Sequence, residues 1–220
     1  MTAAESTGAT PVKGTYRFVE DIKLNTLDIV VAVLLGVIEA AIEILGALGF
    51  LERTVWAAGA VGFAIYAFYN GTTWILFFAG AYLRKRSGVI LLAAIVTSLI
   101  RWFFGDPDGP VLLFYGIFPA VFGMLAFAIM RWRPWPTGRL LFAITCGVTA
   151  GFNQVATFIG QGGFQLSDGP FWGIVSILIG FLGGLLWGVI GWYLGRGLEK
   201  AGVPTVEYPP SWGMAKETYA

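Results

Sequence analysis

The sequence predicts an all-α membrane protein, a six-transmembrane-helix bundle whose second span is broken or re-entrant. Hydrophobic residues make up 57% of the 220-residue chain and charged residues 12%, with a mean hydropathy of +0.75. That leaves too little polar surface to cover a water-soluble globule. The apolar residues also fall into stretches near the about 20 residues that a helix needs to cross a hydrocarbon core roughly 30 Å thick, with room for about six crossings. No length remains for a separate catalytic domain.

The first span is expected from about Leu27 to Leu51, where Glu52 and Arg53 are too polar to stay in hydrocarbon. The second stretch, Thr54 to Leu83, is long for one straight crossing and short for two. Tyr69, Asn70, Gly71, Thr72 and Thr73 interrupt it, so it reads as one broken or re-entrant span. The third runs from about Val89 to Phe104 and ends in Gly105-Asp106-Pro107-Asp108-Gly109-Pro110, whose Gly and Pro residues force a turn. The fourth covers about Val111 to Met130, the fifth about Gly138 to Gly160, and the sixth about Phe171 to Leu194.

Orientation follows from the bias of Lys and Arg toward cytoplasmic loops. Arg84, Lys85 and Arg86, then Arg131 and Arg133, then Arg196 and Lys200 fall on alternate loops. Six crossings place all three clusters on the same side as Lys13, Arg17 and Lys23. The expected layout is a cytoplasmic N-terminal segment over 1–26, a transmembrane domain over 27–195 and a cytoplasmic C-terminal tail over 196–220, in the plasma membrane with both termini cytoplasmic. The N-terminal stretch lacks the basic start and cleavage site of a signal peptide, so the first span is expected to be retained.

Composition also removes functions. A formal charge of +1 provides no basic surface for nucleic acid. Histidine is wholly absent, which excludes His-dependent triads, zinc-protease motifs and imidazole-ligated haem. The lone Cys146 lies in an apolar run, where it can neither staple the fold nor complete a metal site. No metal site and no cofactor is expected. An enzyme would need acid-base chemistry from Glu39, Glu43 or Asp168 alone, so the chain reads as a non-enzyme. No phosphate-binding Gly-rich loop ending in Gly-Lys occurs, so ATP hydrolysis must come from a partner.

Polar residues inside the spans gather toward the outer face: Glu43 on span one, Arg101 on span three, Asn153 and Gln154 on span five, with Gln161, Gln165 and Asp168 in the next loop. Such groups cost several kcal/mol in lipid unless paired or facing water, so they mark a site or a structural pair. Glu39 and Glu43 lie four apart on one helix face, which suits either a cation or hydrogen-bonding ligand, or a Glu43–Arg101 pair with Glu39 protonated or bonded to another helix. Tyr66, Tyr69, Asn70, Thr72, Thr73 and Trp74 combine aromatic faces with hydrogen-bonding groups at the break, a wall for a planar polar molecule or an interfacial belt. Trp102, Trp172, Trp187 and Trp192 read as belt or packing residues. Ala32, Gly36 and Ala40 form a small-residue stripe, as do Gly180, Gly183, Gly184 and Gly188, for internal packing or for docking another subunit.

From roughly Tyr69 through Ala201 the order of features resembles the substrate-binding S components of energy-coupling factor (ECF) transporters, and among them the YkoE-like thiamine and hydroxymethylpyrimidine family. The resemblance rests on a Trp-containing helix ending Ala81-Tyr82-Leu83-Arg84-Lys85, the Gly105-Asp106-Pro107-Asp108-Gly109-Pro110 turn, a span ending Arg131-Trp132 and a glycine-rich last helix. It implies a six-helix protein that captures a vitamin-like molecule near the outer face. It also implies a transmembrane coupling subunit and two cytoplasmic ATPases as partners, with Ala32, Gly36 and Ala40 matching the family's docking stripe. Arg101 stands where thiamine-type members are expected to present an acid. Glu43 would then balance the charge, or the ligand would be neutral or anionic.

The expected pocket comprises Glu43, Tyr69, Asn70, Arg101, Asn153 and Gln154. The rival expectation is a self-sufficient ion-coupled secondary transporter or channel that uses Glu39 and Glu43 as a relay.

Overall fold

In the computed structural model, residues 22–45, 59–130, 137–160, 169–203 and 205 are described. Asn25 and Asp28 start the first helix by reciprocal bonds: the Asn25 backbone N–H donates to Asp28 Oδ2 and the Asp28 N–H to Asn25 Oδ1, each at 2.9 Å. Helix α1 then spans Thr26–Leu45.

Helix α2, Gly59–Asn70, a 3₁₀ turn at Gly71–Thr73 and helix α3, Trp74–Arg84, follow one another without an intervening loop. Val61–Arg84 is long and apolar enough to cross a membrane once. The second span is thus a single crossing with a tightened turn rather than a re-entrant loop. One local and one distant bond act on the turn: the Thr73 hydroxyl donates to the Asn70 carbonyl at 2.8 Å, and the Trp187 indole N–H donates to the Phe68 carbonyl at 2.9 Å. Both bonds compete for carbonyls of the preceding helix and favour the tighter turn.

Helix α4, Gly88–Phe103, ends in a left-handed cap, with Gly105 at φ +82° and the Asp106 N–H donating to the Arg101 carbonyl at 3.1 Å. Helices α5, Val111–Met130, α6, Thr137–Gly160, and α7, Gly169–Lys200, complete six crossings among the described residues. Helix α7 continues through Arg196 and Lys200, so these cations sit on its last turns, where they complement the helix dipole. Glu52, Arg53, Arg131, Arg133, Gln161, Gln165 and Asp168 lie outside the described residues, as do 1–21 and 206–220.

Lipid offers no hydrophobic drive between helices, so close van der Waals packing must hold the bundle. Helices α6 and α7 meet through glycine: a Cβ on Gly184 would stand 2.7 Å from both the Ala150 Cβ and the Cys146 carbonyl oxygen. Toward the basic end, Phe78, Phe127, Phe142, Tyr82 and Trp192 form a core of ring contacts. Outward, α7 presents Leu178, Leu182 and Leu186, exposed at helical spacing as a lipid-facing ridge.

The span-one stripe is already occupied. Ala32 and Ala40 are fully buried, and a Cβ on Gly36 would lie 2.8 Å from the Ala93 carbonyl oxygen of α4. Ala32, Gly36 and Ala40, expected to dock another subunit, let α1 and α4 approach within the bundle, and Thr97 seals the contact by donating to the Gly36 carbonyl at 3.0 Å.

Candidate ligand-binding cavity

Helix α3 packs against α1, α4 and α7, whereas α2, above the 3₁₀ turn, packs chiefly on α7. The second span therefore leans away from α1 and α4 toward the end opposite Arg84, Lys85 and Arg86. The resulting gap is a cavity of about 60 Å³, or about 520 Å³ of empty space when its open mouth is included, walled by α1, the second span, α4, α5 and α6.

Depth follows from the helical rise. Glu39 lies one turn deeper than Glu43 on α1, and Trp74 lies four residues deeper than Asn70 on the second span. The floor thus carries Glu39 and Trp74 beside Phe77, and the rim carries Glu43, Asn70, Arg101 and Asp108, while Tyr66, Tyr115, Asn153 and Thr157 add to the walls.

Charge at the rim is organised around Arg101. Its Nε and Nη2 atoms donate to Asp106 Oδ2 at 2.8 and 2.7 Å, and Nη1 stands 3.8 Å from Glu43 Oε2. Asp106 is itself held in the turn, its Oδ1 accepting from the Asp108 backbone N–H at 3.0 Å. Burial raises the Asp108 carboxyl above its usual range and Asp106 adds to the rise, while Arg101 opposes it. Four carboxyl groups, Glu39, Glu43, Asp106 and Asp108, share this end with the Arg101 guanidinium, which favours a cationic or hydrogen-donating ligand.

Of the six residues expected to form the pocket, Glu43, Asn70, Arg101 and Asn153 line this cavity. Tyr69 and Gln154 do not. Tyr69 is 40% exposed on the outside of α2. Gln154 is fully buried between α6 and α7, with its Cγ under Gly180. Adjacent helical residues point about 100° apart, so Asn153 and Gln154 cannot both face one cavity squarely. Phe77, Thr97, Ser98, Asp108, Tyr115 and Thr157 also line it without having been singled out. Some signal was present: Thr97 and Arg101, like Asn153 and Thr157, are spaced four apart on a helix face.

Among the described residues no group of three His, Cys, Asp or Glu side chains is placed to hold a metal ion.

Bundle and cavity together define a multi-pass membrane transport component with the S-component fold. The chain superposes on a solved structure titled "Crystal structure of an S-component of ECF transporter" with a TM-score of 0.65 and 21% identity, over 82% of this chain and 88% of the other. It belongs to the family described as ABC-type cobalt transport system, permease component, whose model matches residues 27–152. It is also similar to the Bacillus subtilis (strain 168) protein named "Putative HMP/thiamine permease protein YkoE", at 25% identity over 171 residues that span 76% of this chain and 84% of that protein.

Proposed function

We propose that this chain is the substrate-binding S component of an ECF-type ABC importer, and that it captures thiamine, its hydroxymethylpyrimidine precursor or a related planar heterocycle in the cavity at the outer face. The observation that carries this reading is the cavity's lining. Tyr66, Trp74, Phe77 and Tyr115 offer aromatic faces, and Glu39, Glu43, Asn70 and Asn153 offer hydrogen-bonding groups, the combination that suits a flat, polar ring.

The position of Arg101 supports a cationic ligand more than its charge alone suggests. Asp106 takes up two nitrogens of the guanidinium and Glu43 stands 3.8 Å from the third, so the carboxyl groups around the cavity outnumber its one cation and suit a positive ring such as a thiazolium. The name of the Bacillus subtilis relative supports the same ligand class. The family description names cobalt, yet imidazole is absent from the chain and Tyr66, Trp74, Phe77 and Tyr115 set aromatic faces among the polar groups of the cavity, which favours an organic cargo over a metal ion.

In this reading Glu43, Asn70, Arg101 and Asn153 contact the ligand together with Glu39, Trp74 and Tyr115. A transmembrane coupling subunit and two cytoplasmic ATPases supply the energy. Both termini face the cytoplasm, as the alternate-loop placement of Lys and Arg supports.

Calorimetry on the detergent-solubilised protein tests the proposal. Thiamine or the hydroxymethylpyrimidine should bind at micromolar concentration or below, and Asn153→Ala and Arg101→Ala should each weaken binding by about tenfold. Unchanged affinity in both variants would remove these residues from the site. Sustained uptake by this chain alone in liposomes, driven by an ion gradient, would instead favour the self-sufficient transporter.

A further inference from the structure

The cavity contains two kinds of polar group. Those at the rim are paired with each other: Arg101 with Asp106 and Glu43, and Asp106 with the Asp108 backbone. Those on the floor are not. Glu39 is 2% exposed and Trp74 4% exposed, and both line the cavity. Glu39 Oε1 and Trp74 Nε1 find no hydrogen-bond partner among the described residues. A buried carboxyl oxygen and a buried indole N–H left unpaired are each costly in a low-dielectric setting. The two groups are also of opposite kind, since one accepts and the other only donates.

From this we infer that Glu39 and Trp74 determine specificity, and that the cavity receives an amino-substituted nitrogen heterocycle inserted amino-edge first. The exocyclic amino group donates to Glu39, and a ring nitrogen accepts from the Trp74 indole. The remainder of the ligand lies toward the rim charges. This rests on the proposed ligand-capture role and adds the ligand's hydrogen-bond pattern and its orientation.

The chemistry predicts sharp rejection of a close isostere. Replacing the exocyclic amino group by an oxo group turns that position into an acceptor and moves a hydrogen onto the ring nitrogen, so both contacts on the floor become mismatched. A site built on buried hydrogen bonds discriminates strongly against such a change, because its own groups are left unpaired.

The test compares 4-amino-5-hydroxymethyl-2-methylpyrimidine with its 4-oxo analogue by calorimetry on the purified chain, unaltered and as E39Q and W74F. Trp74→Phe keeps an aromatic ring while removing the N–H along with part of the indole's volume, and Glu39→Gln keeps size while removing the carboxylate. The unaltered chain should prefer the amino compound by 100-fold or more. Each variant should bind the amino compound about tenfold more weakly and show a preference reduced by a similar factor. A purely structural role would lower both affinities and leave their ratio unmoved, and that result overturns the inference while leaving ligand capture intact. Absence of binding for both pyrimidines by the unaltered, monodisperse chain overturns the inference and the ligand reading together.

Discussion

Asp28 and Arg84 bury a full ion pair near the basic end, with Arg84 Nε 2.7 Å from Asp28 Oδ1 and the side chains only 4% and 1% exposed. Asp28 serves twice, since the same carboxylate closes the capping arrangement at the start of α1. Removing one member of a buried pair leaves an uncompensated charge, so Asp28→Ala should destabilise the protein by about 3–5 kcal/mol, read as a lower unfolding midpoint in denaturant. Nearby, Lys85 adopts φ +49° in the loop after α3 and places its Nζ 3.5 Å from the Tyr82 ring centroid. Burial lowers this amine from 10.5 to about 8, with Glu199 opposing the drop. Between those two values the unfolded chain holds a proton that the folded chain has released, so stability rises with pH across that window. Thermal unfolding followed from pH 7.5 upward should show that rise, and Lys85→Met should flatten it. At this scale the sequence was readable for residue type and less so for direction. The polarity of Glu43, Arg101 and Asn153 was visible, but Gln154 and Tyr69 carry the same polar signal and face elsewhere.

Helices make the next set of predictions. The α6–α7 contact depends on Gly184, where an added methyl group would meet the Cys146 carbonyl oxygen at 2.7 Å, and backbone cannot swing aside as a flexible side chain can. Gly184→Ala should therefore cost about 1–3 kcal/mol and lower the melting temperature in detergent. The break near Asn70 was legible from its Asn, Gly and Thr residues. Whether it made a re-entrant loop or a bent crossing was not, because the answer depends on Trp187, 119 residues away, donating to the Phe68 carbonyl. The small-residue stripe on α1 behaved the same way. Its spacing announced close approach, and only the position of α4 showed which helix approaches.

For the whole molecule, the cavity and the basic end are opposite poles of one bundle, and the proposed function requires the first to face outward. Cys146 is 1% exposed and serves as a silent background. With Pro107→Cys in the Gly105–Pro110 turn, a membrane-impermeant maleimide should label intact cells, whereas Lys200→Cys should react only after the membrane is opened. Labelling of the turn from the cytosolic side alone would reverse the topology and sink the capture model.

Hydropathy and loop charge by themselves determined the class of fold and the number of crossings, because lipid imposes length and polarity rules that are local in sequence. Tertiary structure alone decided which polar residues share a cavity, which pair among themselves at its rim and which lie on its floor. Those outcomes depend on how helices pack and rotate against distant partners, as where the second span tightens into a 3₁₀ turn at Gly71–Thr73 beside the cavity.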